Sequence, residues 1–261
     1  MPDHTPKFRE IASELRREIT EGRLTPGAKL ESENQLASRF DTTRATVRKA
    51  ITLLRAEGLV DSRQGAGVTV RERPQVRLLG AGANYRARRS TGVSNFNAEA
   101  AAQGLTAVQH IREVTEVPAA APVAELLDVP VGTPLIARRR LFTLNDSPSQ
   151  LVDGYYVKEL VDGTAITRPR RIKGGVNAVL EDPSGPIGRR IARFVEDLDI
   201  RMPSPEESEA LAIPPGVPVA RILRTAYDVD GTPIEVLDSL APCDRHVFRY
   251  VIELPKPDGD S

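Results

Sequence analysis

The chain has 261 residues, zero formal net charge, one cysteine and three histidines; the length suits two domains and the single Cys243 excludes an internal disulfide. His4, His110 and His246 are scattered without metal-ligand spacing and read as surface or packing residues, and no stretch approaches the roughly 18 consecutive apolar residues of a membrane span. No apolar run of signal-peptide length follows Met1, so a cytoplasmic protein with no membrane partner is expected.

The neutral total hides a division. Residues 1–90 hold 18 Lys+Arg against 11 Asp+Glu, while residues 91–261 hold 18 against 25. A basic front and an acidic remainder predict a polyanionic partner for the first third. There Phe8, Ile11, Leu15 and Ile19 recur at three- and four-residue steps, the apolar face of a helix that Gly22 ends. TPGAKL turns the chain. Ser32 followed by Gln35 is a capping box opening a second helix with Leu36 and Phe40 on its inner side. A third helix starts near Thr42 or Thr43; Val47, Ile51 and Leu54 face inward, Arg48, Lys49 and Thr52 face away, and Arg44 lies at the margin.

Three short helices, the last with a polar, arginine-bearing first turn, suit a helix-turn-helix module. Its recognition helix enters a major groove, where arginine pairs with guanine O6 and N7 and the helix N-terminus favours phosphate. A solvated charged helix face would look the same in isolation. GLVDSRQGAGVTV, beginning at Gly58, favours the module: Leu59 and Val60 open a strand, Val68 and Val70 alternate on a return strand, and RQGAG forms a tip that lets backbone approach closely. The hairpin reads as a wing, with Gln64 and Gly65 placed for the minor groove.

Residues 6–70 resemble the DNA-binding domain of the GntR family of bacterial transcription regulators. Phe8, GRLTPG (22–27), LESE (30–33), FDTTRATVR (40–48), EGL (57–59) and GAG (65–67) carry the resemblance. It implies recognition-helix contacts from Thr43, Arg44, Thr46 and Arg48 and wing contacts from Gln64 and Gly65. Glu31 departs from the usual proline and sets a negative charge near the docking surface; Asn34 stands where some members use a DNA-contacting arginine.

The expected division is a winged helix-turn-helix domain over 1–72, a linker over 73–92 and a second domain over 93–255. The linker is rich in Arg and Gly; its arginines either add phosphate contacts or solvate the segment. Beyond it lies an internal repeat. Gly132, Pro134, Arg140 and Asp146 fall 84 residues before Gly216, Pro218, Arg224 and Asp230. Each unit reads as a short helix, a P-x-G-x-P turn, a strand, a hairpin turn and another strand, and helices are expected near 174–182 and 186–196 between the units. The result is an α+β domain, an antiparallel sheet with helices against it and pseudo-twofold organisation.

VPVGTPLIARRRLF (129–142), SPSQLVDGYY (147–156) and IPPGVPVARILRTAYDVDGTPIEV (213–236) make this half similar to the UTRA effector-binding domain of the HutC subfamily, which shares its fold with chorismate lyase. The resemblance implies a small, often anionic effector between the two halves, and homodimerisation. Arg140 matches an effector-facing arginine and Glu235 an acidic one. Phe142 stands where many members have a second arginine, and Val152 at or near a position that is often Glu. Gly174 and Gly175, leading into a helix, offer free N–H groups to an anion or simply a packing turn; Tyr155, Tyr156 and Tyr227 are either pocket residues or ordinary strand residues.

The expected function is a homodimeric, effector-responsive repressor on a palindromic DNA operator, with no catalytic residue, cofactor or metal. A constitutive repressor whose second domain only dimerises is the alternative. A lyase-like enzyme is a further one, against which stands the lack of any Ser/His/Asp or Cys/His constellation.

Overall fold

The computed structural model describes residues 5–63, 67–71, 76–79 and 95–250. The chain divides into two compact units, 1–75 with 202–218 and 76–201 with 219–261. The first unit therefore takes in a segment that lies within the 93–255 range expected for the second.

In the first unit, α1 (Lys7–Thr20), α2 (Glu33–Arg39) and α3 (Arg44–Ala56) follow the apolar spacing. Ile11, Ala12 and Leu15 of α1, Leu36 of α2, and Val47, Ala50, Ile51 and Leu54 of α3 form one core with Leu30, Val60 and Val70. Leu54 is fully buried, so truncating it to alanine removes about 2–5 kcal/mol. The Ser32 capping box forms with both arms: the Ser32 amide donates to Gln35 Oε1 at 2.9 Å and the Gln35 amide to Ser32 Oγ at 3.3 Å. Between α2 and α3, Asp41 sits at φ 46°, the left-handed conformation that makes the tight helix-to-helix turn.

The wing strands β1 (Val60–Arg63) and β2 (Gly67–Val70) pair antiparallel, Val60 with Val70 and Arg63 with Gly67. TPGAKL does more than turn: Gly27 and Leu30 amides donate to the Val70 and Val68 carbonyls at 2.9 and 2.8 Å, laying that segment along β2 as a third strip of backbone. Gln64 and Gly65 lie outside the described residues, as does most of the expected linker.

The second unit is built on a six-stranded antiparallel sheet. Its strands are β4 (Ala107–Pro118), β5 (Pro134–Leu144), β6 (Ser147–Val157), β7 (Ile191–Arg201), β8 (Val219–Asp228) and β9 (Pro233–Pro242), in the order β4-β5-β6-β9-β8-β7. Before it come β3 (Val76–Leu79) and α4 (Asn95–Ala102), and β3 pairs parallel with β10 (His246–Arg249). The short helices α5 (Ala121–Leu126) and α8 (Pro205–Ala210) stand 84 residues apart, at equivalent sequence positions of the two repeats, although α8 lies in the 202–218 segment of the first unit. α6 (Lys158–Val161), a 3-10 turn at Ala165–Thr167 and α7 (Val176–Leu180) connect them.

One expectation fails here. Residues 186–196 do not form a helix; β7 begins at Ile191 and pairs along its length with β8. It stands 84 residues after β4, which begins at Ala107, and is the first strand of the second repeat. Each repeat is thus β-α-β-β, and mirror placement of β4 and β7 at the two edges completes the pseudo-twofold sheet. β7 was obscured because an edge strand is half solvated: Arg193, Asp197 and Asp199 are exposed, and such charge mixes with the apolar positions whose period would reveal a strand.

The two faces of the sheet are covered differently. Ile136, Tyr156, Ala226 and Ile234 pack beneath Val161, Ile166, Val176 and Leu180 of the connecting elements. On the other face, Leu135 and Val236 pack with Ala124 of α5 and Leu127.

Candidate functional site

The first candidate site is the exposed side of α3. Thr43 is its N-cap: Thr43 Oγ1 accepts the Thr46 amide at 3.2 Å and lies 3.0 Å from the Thr46 hydroxyl. That exchange orders the first turn and commits part of both hydroxyls to the helix itself. Arg44 and Arg48 project one turn apart with side chains 61 % and 63 % exposed, so the marginal place expected for Arg44 becomes an outward one.

Both arginines converge on Glu33, the first residue of α2. Arg48 donates through Nε at 3.1 Å and Nη2 at 2.8 Å, and Arg44 through Nη2 at 3.3 Å. The Arg48 hydrogen bonds, with Arg44 adding to them, hold the Glu33 carboxyl below the usual carboxylate range. One carboxylate therefore gathers two guanidinium forks on the surface that would meet a duplex. Glu31, expected to load negative charge there, is engaged instead by Arg39 at 2.7 Å, which also pairs with Glu18.

The second candidate site is buried in the sheet. The run Ala137-Arg138-Arg139-Arg140 alternates between faces. Arg139 points to the solvated face, reaching Glu113 at 2.6 Å and Asp153 at 3.6 Å. Arg138 and Arg140 point the other way and are only 1 % and 7 % exposed. Arg138 donates to the Ile166, Arg168 and Arg170 carbonyls at 2.7, 2.7 and 3.0 Å, fastening the connecting segment onto the sheet. Burial lowers its pKa. Arg138 was missed in the sequence, although strict alternation from Arg140 places it on the same face.

Arg140 makes one long bond, Nε to the Val152 carbonyl at 3.3 Å, and its guanidinium carbon stands 5.7 Å from the Phe142 ring centre. Its Nη2 has no hydrogen-bond partner among the described residues. Glu235, 2 % exposed, accepts the Tyr156 hydroxyl on Oε1 at 2.7 Å, while its Oε2 is likewise without a partner. Tyr156 is fully buried and feels the Glu235 carboxylate and both guanidinium groups; burial first, then Glu235, pushes its pKa well up. Gly154 keeps this arrangement possible. A Cβ there would come within 2.6 Å of the Tyr156 hydroxyl and 3.0 Å of Leu237 Cδ2. Phe142, Val152 and Leu237 form an apolar cluster with Phe96 of α4 beside these charges, and the Phe96 and Phe142 rings meet edge-on at 4.5 Å.

Of the expected effector residues, the structure brings Arg140 and Glu235 to one face and leaves Tyr155 on the other. Tyr155 pairs with Ala137 and Val236 and packs in the cluster under α5. Its neighbour Tyr156 lies on the Arg140 and Glu235 face and donates to Glu235, because successive strand residues face opposite ways. Gly174 and Gly175 have φ of 78° and 79°, and the Gly175 amide donates to Ile172 O at 3.0 Å. Their conformation accounts for the glycine pair as a turn, and α7 behind them has only five residues.

A capped third helix with outward arginines, a two-stranded wing, and a duplicated sheet enclosing unpaired buried charges define a DNA-binding transcription regulator with a ligand-type second domain. Residues 7–70 match the family of bacterial regulatory proteins, gntR family, and residues 102–247 match the UTRA domain. The chain belongs to the GntR family of transcription regulators, in the HutC/PhnF-type arrangement with a UTRA second half.

Among its relatives, the HTH-type transcriptional regulator SCO4628 of Streptomyces coelicolor is 31 % identical over 98 % of this chain and 96 % of that protein. The HTH-type transcriptional repressor NagR of Bacillus subtilis is 26 % identical over 95 % of both. The crystal structure of PhnF from Mycobacterium smegmatis superposes with a TM-score of 0.57 at 25 % identity, covering 94 % of this chain and all of that one. These families and relatives regulate transcription and are not enzymes. Among the described residues, no helix is long and apolar enough to cross a membrane, and no cluster of His, Cys, Asp and Glu could hold a metal ion.

Proposed function

We propose that this regulator is a cytoplasmic homodimeric repressor that binds a palindromic operator and is released from it by a small-molecule effector. The observation that carries the reading is the pair Arg44 and Arg48, held side by side on the outer face of a capped helix that leads directly into a wing. A two-fold dimer would place one such helix in each of two major-groove half-sites, with Thr43 and Thr46 at the phosphates and Gln64 and Gly65 beside them at the wing tip. That the relatives NagR and PhnF bear the name of repressor supports the direction of control.

The effector would lie among Arg140, Tyr156 and Glu235. Two buried charged groups with unpartnered atoms favour a ligand there over a purely structural second domain. Its effect equals its preference for the arrangement that does not bind DNA, and no more.

The test is a band-shift titration of the purified chain on DNA from upstream of its own gene, with and without a panel of metabolites. A shift on a palindromic fragment, reversed by one compound, is the expected result. A shift that no compound alters would leave a constitutive repressor, and no shift on any upstream fragment would remove the operator reading.

A further inference from the structure

We infer that the ligand of the second unit is a small organic monocarboxylate with an apolar body and one hydroxyl or ammonium donor, an inference that rests on the effector-binding reading above. The charge inventory comes first. Arg138 is committed to three backbone carbonyls and Arg224, though its Nε is unpartnered, is faced by Glu196 at 4.0 Å, so Arg140, with Nη2 unpartnered and no carboxylate paired to it among the described residues, is the guanidinium left to receive an anion. Glu235 keeps Oε2 unpartnered while Tyr156 donates to its Oε1. No ion pair joins Arg140 to Glu235 although each is more than nine-tenths buried, and buried charged groups left in this condition are costly until something pairs with them.

A ligand that satisfies both groups needs one negative charge for Arg140 and one donor for Glu235 Oε2. A phosphate monoester fits poorly, because a buried dianion calls for several cationic donors, the other two guanidinium groups on this face are engaged, Arg138 by backbone carbonyls and Arg224 by Glu196, and the dianion would stand on the same sheet face as the Glu235 carboxylate. The walls specify the rest. Val152 is the register partner of Arg140 and Phe142 is two residues along the same strand, and with Leu237 and Phe96 they form an apolar surface beside the guanidinium. The part of the ligand adjoining its carboxylate is therefore apolar.

The experiment uses the full chain, calorimetric titration and thermal melting. The carboxylate probes are 3-phenyllactate, L-phenylalanine, 4-hydroxyphenylacetate and 6-aminohexanoate; 3-phenylpropionate lacks the donor; glucose 6-phosphate and inorganic phosphate represent the other class. At least one donor-bearing carboxylate should bind, roughly tenfold or more tighter than 3-phenylpropionate where they share a skeleton, and Arg140→Gln should weaken it at least about tenfold. Without ligand, Arg140→Gln and Glu235→Gln should each raise the melting temperature by about 2–4 °C, since each removes a buried charge kept for binding.

Binding of the phosphates alone, lost in Arg140→Gln, would overturn the carboxylate class and keep the effector site. No binding by any probe, with both variants melting lower than the parent, would make the two residues structural and overturn the effector reading as well. No binding with both melting higher would overturn the carboxylate class only. Circular dichroism of each variant establishes that it is folded before titration.

Discussion

Arginine does opposite work in the two units. In the first, Arg44 and Arg48 stand in solvent and share one carboxylate, Glu33, in an arrangement that a nucleic acid can exchange at little cost. In the second, Arg138 is enclosed and spends its fork on three carbonyls, while Arg140 is enclosed and leaves a nitrogen unspent. The same side chain is a surface ion-pair partner, a structural clamp or an enclosed cation with a donor to spare, according to burial and the number of acceptors supplied.

The sharpest way to break this contrast is to remove the clamp. Arg138→Met should destabilise the second unit by about 3 kcal/mol or more, because three carbonyls lose a charged donor and the connecting segment loses its anchor; denaturant unfolding followed by far-ultraviolet circular dichroism measures it. Arg44→Ala and Arg48→Ala should lie within about 0.5 kcal/mol of the parent in the same assay. Comparable losses at all three positions would dissolve the distinction.

A buried imidazole that stays neutral gives a pH signature. His246 is enclosed, with Nδ1 2.8 Å from the Pro242 carbonyl and Nε2 3.0 Å from the Ser149 hydroxyl. Burial above all lowers its pKa from 6.5 to about 4. The unfolded chain takes up this proton at a higher pH than the folded one, so the contribution is complete above about pH 6.5 and is lost as pH falls toward 4. The full loss is on the order of 3 kcal/mol, read from unfolding midpoints across that window. His246→Gln should flatten this segment of the curve.

On the DNA side the effects are smaller and appear only in binding. Arg44→Ala or Arg48→Ala should cost about 1–3 kcal/mol on the specific operator if each reads a base, whereas equal weakening on random DNA assigns them to phosphates. Glu33→Gln frees both arginines of their counterion. It should strengthen non-specific binding by less than about 1 kcal/mol and narrow the ratio of specific to random affinity, as measured by competition band shifts at fixed salt.

Much of this organisation was legible in the chain. Helical spacing with capping residues at Ser32 and near Thr43 announced α1 to α3, and the Gly-rich hairpin announced the wing, because these signals are local. The repeat also disclosed four of the six sheet strands, through turn residues at matched offsets. β7 escaped because solvation of an edge strand dilutes its apolar period. Tyr155 and Tyr156 could not be told apart in the sequence because two adjacent tyrosines can be separated only by knowing which strand residue faces the Arg140 side of the sheet. Arg138 shares the Arg140 face by simple alternation, but the carbonyls that engage it come from a distant connecting segment that no local pattern marks.

By itself, the sequence determined the family, the order of elements in the first unit, the basic recognition helix and the presence of Arg140 and Glu235 in a duplicated domain. Tertiary structure alone decided that Glu33 gathers Arg44 and Arg48, that Arg138 is consumed while Arg140 is not, and that Tyr156 rather than Tyr155 reaches Glu235. Those outcomes depend on which face each strand residue occupies and on which backbone carbonyls, more than 25 residues away for Arg138, arrive to meet it. No local pattern encodes that meeting; packing of the whole sheet and its connections does.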